Sequence, residues 1–510
     1  MSMRAGPAGP CTPISRSALI ARLKDRETWD VVVVGGGATG LGCALDAATR
    51  GYRVLLVEAH DFGKGTSSRA TKLIHGGVRY LAQGNVPLVT EALLERSRLL
   101  KNAPGLVRPL RFVVPAYGWF DKPKFGLGLK LYDLLAGRHG IAPCRVLDPV
   151  ETRAALPAVV QTGLRGGIAY WDAQFDDARL CVALMRAIHA HGGVAINYLP
   201  VEGLIQDDDR VAGVRVRDLE SADIHEVSAR VVINATGVWA DRLRAFERPG
   251  VAPLLRPSQG VHVVVDAGFL PGSDALLVPQ TPDGRVLFVI PWQGKVLIGT
   301  TDTARSDLPL EPAPLAGEIE FILETAGRYL TRRPTRADVR SVFAGLRPLI
   351  DADGRARTGK LSREHHIEVS RGGMVTITGG KWTTYRRMAE DCIDAAQRAA
   401  GIGRRPCITA ELPILDGPLR DGAEGPEAQQ TLCEALSLSE GDVVRAVRYE
   451  LARSVEDVLA RRHRALFLDA RAAQAVAPTV ARILARELGY DATWCEAQCR
   501  SFSALAAGYL

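Results

Sequence analysis

The run Trp29-Asp30-Val31-Val32-Val33-Val34 passes without a break into Gly35-Gly36-Gly37-Ala38-Thr39-Gly40. A β-branched stretch this apolar reads as a strand buried on both faces, the condition of a parallel sheet. Leu41, Ala44, Leu45 and Ala48 then recur at i, i+3, i+4 and i+7, so an apolar helical stripe comes next. Gly51 ends that helix, and Tyr52 to Val57 reads as a second strand closed by Glu58. The result is a βαβ unit whose turn carries Gly35-x-Gly37-x-x-Gly40. Such glycines remove side chains where backbone N–H groups approach a pyrophosphate, and the helix N-terminus adds favourable partial charge. Glu58, twenty-one residues beyond Gly37, suits ribose hydroxyls; an acid there disfavours a 2′-phosphate.

Length and composition narrow the remaining classes. With 510 residues, 47% hydrophobic and 24% charged, the chain has ordinary globular composition, which excludes disorder and leads us to expect two or three domains. A net charge of +7 is small for that length and does not require a nucleic-acid partner. Nine cysteines, an odd number with no CxxC pair, form neither a disulfide framework nor a zinc site, and a reducing cytoplasm is the expected compartment. The first 28 residues carry no secretory signal; their Arg and Ser content, with no acid before Asp25, keeps a transit-peptide reading open. No apolar stretch is long enough to span a bilayer. His365-His366 alternate across a strand, and Asp351-Ala352-Asp353-Gly354 lacks a calcium loop's remaining ligands, so no metal is expected.

The choice between FAD and NAD comes from the chain beyond the βαβ unit. A nicotinamide domain would continue with repeated βα units. This chain moves instead to Thr66-Ser67-Ser68, whose hydroxyls suit pyrophosphate or ribitol, and then through Lys72 to His75-Gly76-Gly77, where two glycines let backbone lie against a flat ring. Nucleotide-binding character returns at Arg230–Asn234, running into Ala235-Thr236-Gly237, and at Met374–Lys381, with Gly380 and Thr384 near the next helix. Runs at 261–265, 286–290 and 296–299 read as antiparallel strands of a second sheet. A discontinuous Rossmann-like α/β domain with an antiparallel-sheet domain inserted favours FAD. The expected boundaries are an extension over 1–28, the FAD-binding part over 29–110, 160–245 and 346–400, the substrate part over 111–159 and 246–345, and a helical C-terminal domain over 405–510.

VVVVGGGATGLGCALDAATRGYRVLLVE, TSSRATKLIHGGVRYL, YWDAQFDDARL, VVINATGVWAD, FVIPWQGKVLIGTTDT, FAGLRPL and TGGKWTTYRRMAED occur in that order. Together they resemble the FAD-dependent, respiratory glycerol-3-phosphate dehydrogenases over about 29–400, and the helical tail is similar to that family's C-terminal domain. The resemblance implies oxidation of glycerol 3-phosphate to dihydroxyacetone phosphate by hydride transfer from C2 to flavin N5, with electrons passed to quinone. It also implies substrate contacts from Arg79, Tyr80, His262, Arg347, Arg363 and Lys381. Histidine suits general-base work near neutrality, whereas arginine is always protonated. His262 is therefore the expected base, Arg347 the cation polarising the forming carbonyl, and Arg363, Lys381 and Arg79 the phosphate ligands. The alternatives are an oxidase of the same fold, using oxygen or an amine substrate, and a catalytically silent FAD-binding scaffold.

Residues 108–138 interleave Arg108, Arg111, Lys122, Lys124, Lys130 and Arg138 with aromatic and aliphatic side chains. That mixture suits a surface lying in an anionic leaflet and reaching quinone, or a helix packed on the substrate part. The sequence expectation is thus a cytoplasmic protein associated peripherally with the inner face of the cell membrane; a homodimer is left open.

Overall fold

The computed structural model describes residues 13–24, 28–82, 84–279, 281, 284–350, 364–416 and 430–510. The opening βαβ forms as the hydrophobic pattern requires: strand Trp29–Val34, helix Ala38–Thr49 and strand Val54–Val57, with Val31, Val32 and Val33 fully buried. Trp29–Val34 lies between Val54–Val57 and Ile224–Asn234, both parallel to it. Val194–Ile196 and Val375–Gly379 extend the parallel sheet on either side. Strands about 170 to 350 residues apart in sequence thus share one sheet, the discontinuity expected of this architecture. The helix Tyr385–Ala400 packs against the helix Ala38–Thr49 and closes the layer.

The second sheet is mainly antiparallel and has ten strands. Its axis is Ser258–Asp266, hydrogen-bonded to Lys295–Gly299 on one side and to Val339–Arg347 on the other. This register sets His262 opposite Gly299 and Phe343, and Ser258 opposite Arg347. Strand Gly166–Phe175, which the expected boundary at 160 assigns to the nucleotide-binding part, pairs along its length with Val107–Ala116 in this second sheet. Leu73–Ile74 joins it too. Those short apolar runs look alike in either sheet, and only their pairing partners decide membership.

Helices Glu440–Glu450, Ala470–Leu488 and Ala492–Ala507 form the C-terminal region. Buried ion pairs bind it to the rest. Asp61 accepts from Arg461 and Arg462, and Arg179 bridges Glu450 and Asp416. The Arg179 guanidinium outweighs the burial that opposes ionisation and brings the Glu450 carboxyl down to about 2. Because that value is depressed on folding, the pair's contribution is full above the ordinary carboxylate range and is lost as pH falls from about 4.5 toward about 2. Glu450→Ala leaves Arg179 with Asp416 as its one remaining carboxylate among the described residues and lowers stability by about 1.5–3 kcal/mol, as chemical denaturation at pH 7 will show; the deficit shrinks on acidification. Among the described residues, no helix is long and apolar enough to cross a membrane.

Candidate active site

A single cavity of about 1310 Å³ runs from the glycine turn of the parallel sheet to the face of the second sheet. It exceeds the usual volume of a pocket for one drug-sized ligand, about 300–1,000 Å³, and so has room for a dinucleotide and a small substrate.

The nucleotide end is built from backbone. Gly35 has a φ of 110°, which favours glycine, and a Cβ there would meet the Ala235 carbonyl. Gly37 caps the helix Ala38–Thr49, whose first amide donates to Ser67 Oγ at 2.9 Å. Gly40 does not line the cavity; its missing Cβ lets the helix sit directly on the Gly35 carbonyl. Glu58 accepts from the amides of Gly36 and His60, an arrangement that orients the carboxylate at the cavity wall. Burial pushes its carboxyl up, against the two backbone donors. Thr66, Ala235, Thr236 and Gly237 complete this end. A Cβ on Gly237 would meet nothing, so open space lies beside it. The cradle of bare backbone, an oriented acid and small hydroxyl groups fits FAD.

His75 and Gly77 line the middle of the cavity. The His75 amide donates to Thr383 Oγ1 at 3.2 Å. Gly76 lies behind the wall, its amide donating to Tyr132 Oη at 2.8 Å, and Tyr132 in turn donates to Asp172. Ser68 and Lys72 also stand outside the cavity, against their expected cofactor role. Ser68 Oγ donates to the Gly63 carbonyl at 2.6 Å, and Lys72 is completely buried on Asp177 at 2.7 Å. Thr384 is likewise set back, with its hydroxyl donating to the Lys381 carbonyl. These four hold the loops that touch the cavity.

His262, Arg347, Tyr80, Gly380 and Lys381 also line the cavity. His262 is 2% exposed and stacks on Phe343 with centroids 4.9 Å apart. Its Nε2 lies 3.0 Å from Thr71 Oγ1, while Nδ1 has no partner among the described residues. Burial, then the charges of Lys72 and Arg347, hold its pKa well below the ordinary imidazole value, so the ring is neutral. Arg347 donates to Asp302 and Thr300 Oγ1, both at 3.1 Å, which fixes its fork beside Gly260. Lys381 Nζ lies 3.9 Å from the centroid of the Tyr80 ring. The Arg79 side chain and Arg363 lie outside the described residues.

Thr71, Thr300, Asp302 and Asp172 are cavity residues that sequence reasoning did not reach. Thr71 sits inside the diagnostic TSSRATKLIHGGVRYL segment, which was the available signal; its partner His262 is 191 residues away. A close approach across that separation has no local pattern.

Residues 30–386 match the family model described as FAD dependent oxidoreductase, and 418–495 match the C-terminal domain of alpha-glycerophosphate oxidase. The mitochondrial glycerol-3-phosphate dehydrogenase of Bos taurus is 38% identical, over 94% of this chain and 73% of its own. That of Arabidopsis thaliana is 37% identical, over 94% of this chain and 86% of its own. The crystal structure of a glycerol-3-phosphate dehydrogenase from Bacillus halodurans complexed with FAD superposes with a TM-score of 0.77 at 30% identity, covering 97% of both chains. Both curated relatives are mitochondrial by name, which overturns the expected cytoplasmic location on the inner face of the cell membrane. The eight described cysteines are all free.

Proposed function

Since the chain belongs to the FAD-dependent glycerol-3-phosphate dehydrogenases, we propose that glycerol 3-phosphate binds between the His75–Gly77 segment and the His262 strand, with its C2 hydroxyl at His262 and its phosphate toward Lys381. The observation that supports this is the meeting of a neutral histidine, an oriented arginine and a lysine in the cavity that also holds the nucleotide cradle. FAD, when bound, supplies the acceptor for the hydride leaving C2. His262 takes the hydroxyl proton on the cavity wall, where its Nε2 lies 3.0 Å from Thr71 Oγ1. Arg347, kept charged and aimed by Asp302 and Thr300, stabilises the oxygen as it becomes a carbonyl. Lys381, with Arg79 and Arg363 as further cations, neutralises the phosphate. Anaerobic mixing with glycerol 3-phosphate bleaches the flavin, and mixing with glycerol or sarcosine does not. Bleaching by sarcosine instead would move the substrate to the amines.

The electron acceptor is read from helix Asp121–Ala136, preceded by Trp119 and Phe120. Trp119, Phe120, Leu127 and Leu134 are each at least 75% exposed, an apolar patch that a soluble surface does not need. The same helix lines the cavity with Phe125, Leu129 and Leu131, and the exposed Leu127 sits at the cavity rim between the two faces. An outward face for lipid and an inward face toward the flavin suit delivery of electrons to a membrane quinone. The double variant Phe120→Ser/Leu134→Ser keeps glycerol 3-phosphate bleaching and loses roughly tenfold in binding to anionic vesicles and in quinone reduction. Unchanged vesicle binding removes the docking reading. Stoichiometric peroxide under air, with no quinone reduction, would make the protein an oxidase.

A further inference from the structure

The C-terminal region, through Arg464 and the short helix Ala465–Leu468 that it opens, reaches the candidate base by two routes that converge on one side chain. Arg464, whose side chain is 1% exposed, donates from Nη2 to the Ser68 carbonyl at 2.8 Å and from Nη1 to the Ala460 carbonyl at 2.7 Å. Its Nη2 also lies 3.3 Å from Asp177. Asp177 accepts from Lys72 Nζ at 2.7 Å and from the Ala70 amide at 3.0 Å, and Lys72 donates to the same Ser68 carbonyl at 2.8 Å. The segment 68–72 is therefore fastened at Ser68, Ala70 and Lys72. Thr71, between the last two anchors, presents its hydroxyl 3.0 Å from His262 Nε2. The second route is a ladder of rings: His262 on Phe343, Phe343 on Phe467 at 4.8 Å, and Phe467 under the Arg464 guanidinium at 4.0 Å.

Two cations and a carboxylate sunk this deep carry a large desolvation cost, and apolar side chains of similar volume would do as well or better for stability alone. Their arrangement is more specific than packing requires, since all three close on one five-residue segment. We propose that Arg464 is a positioning residue for the reaction: the C-terminal region uses it to hold Thr71, and through Thr71 and Phe343 the tautomer and ring plane of His262. The proposal rests on the reading of His262 as the base. It gives the C-terminal region a role in the reaction through a residue that does not line the cavity.

The charges around His262 supply a readout that a purely structural part would not move. Lys72 and Arg347 face the ring, Asp302 pairs with Arg347, and Asp177 and Asp176 lie beyond with Arg464. Removing the Arg464 cation leaves Lys72 with the two carboxylates, so the local potential becomes more negative and the imidazolium is favoured. Arg464→Ala should keep FAD and a near-normal KM for glycerol 3-phosphate, reduce flavin about 10²-fold more slowly through loss of alignment, and show its acidic limb at higher pH than the parent. Arg464→Lys, retaining charge and one donor path, recovers part of the rate. Should Arg464→Ala fail to fold, Phe467→Leu loosens only the ring ladder and is expected to lower kcat with KM unchanged. Slowing that is equal at every pH, with no recovery in Arg464→Lys, overturns the proposal, as does a parent-like rate and pH profile in both Arg464→Ala and Phe467→Leu. A parent-like rate in His262→Ala overturns the base assignment and the proposal together, whereas an inactive His262→Ala beside a parent-like Arg464→Ala overturns the proposal alone.

Discussion

His262→Ala reduces the rate of flavin bleaching by glycerol 3-phosphate about 10²–10⁴-fold while FAD content stays at the parent level. The magnitude is that of a lost general base, and FAD content is unchanged because His262 lies on a strand of the second sheet rather than in the glycine turn. The pH dependence has a definite sign. Burial and the neighbouring cations Lys72 and Arg347 depress the imidazole pKa in the folded protein. The imidazole is thus unprotonated throughout the neutral range, and with His262 as the proposed base the rate is expected to fall only on acidification well below the ordinary imidazole value. The same depression means that the unfolded chain binds the proton first, so this group's share of stability is present above about pH 6.5 and is lost as pH falls. Stopped-flow bleaching from pH 5 to 8 checks the first statement and thermal unfolding over the same range the second. His262→Asn, which preserves size and hydrogen bonding to Thr71, distinguishes base loss from a cavity: it stays as slow as the alanine variant while restoring stability.

Gly40→Ala abolishes FAD binding. A Cβ at this position falls well inside contact with the Gly35 carbonyl oxygen and close to the Ala235 side chain. Neither neighbour has a flexible end that could yield, because the first is backbone in the turn itself. The helix Ala38–Thr49 must lift from the strand Trp29–Val34, which withdraws the amides that the pyrophosphate requires. The overpacking costs about 2–3 kcal/mol, and the loss of bound cofactor adds to the fall in Tm. Purified protein that is colourless, or that loses flavin on gel filtration, is the expected result; a fully yellow variant with parent activity removes the close-packing argument.

The glycine turn and the TSSRATKLIHGGVRYL segment were legible because each is local: every residue needed to read the chemistry lies within a few positions of the next. His262, Arg347 and Lys381 were legible through their motifs, and the structure brings all three to one cavity wall. Lys72, Ser68, Gly76 and Thr384 came from those same motifs, yet they face away from the cavity. A motif records that a segment is shared without recording which side of it faces the ligand; the backbone path decides that. The compartment was not legible from composition, because a modest positive charge and unpaired cysteines suit more than one reducing environment.

Taken alone, the sequence determined the βαβ opening, the discontinuous α/β architecture with its second antiparallel sheet, the flavin cofactor and the residue types of the site. All of these arise from periodicity or from short spacings that the chain carries wherever it folds. Only the tertiary structure decided that Gly166–Phe175 belongs to the second sheet, that Thr71 holds His262, and that Arg464 anchors the segment containing Thr71. Each of these is a contact between residues tens to hundreds of positions apart. Such contacts are selected by burial, charge pairing and shape when whole elements pack, and those forces leave no period in the chain.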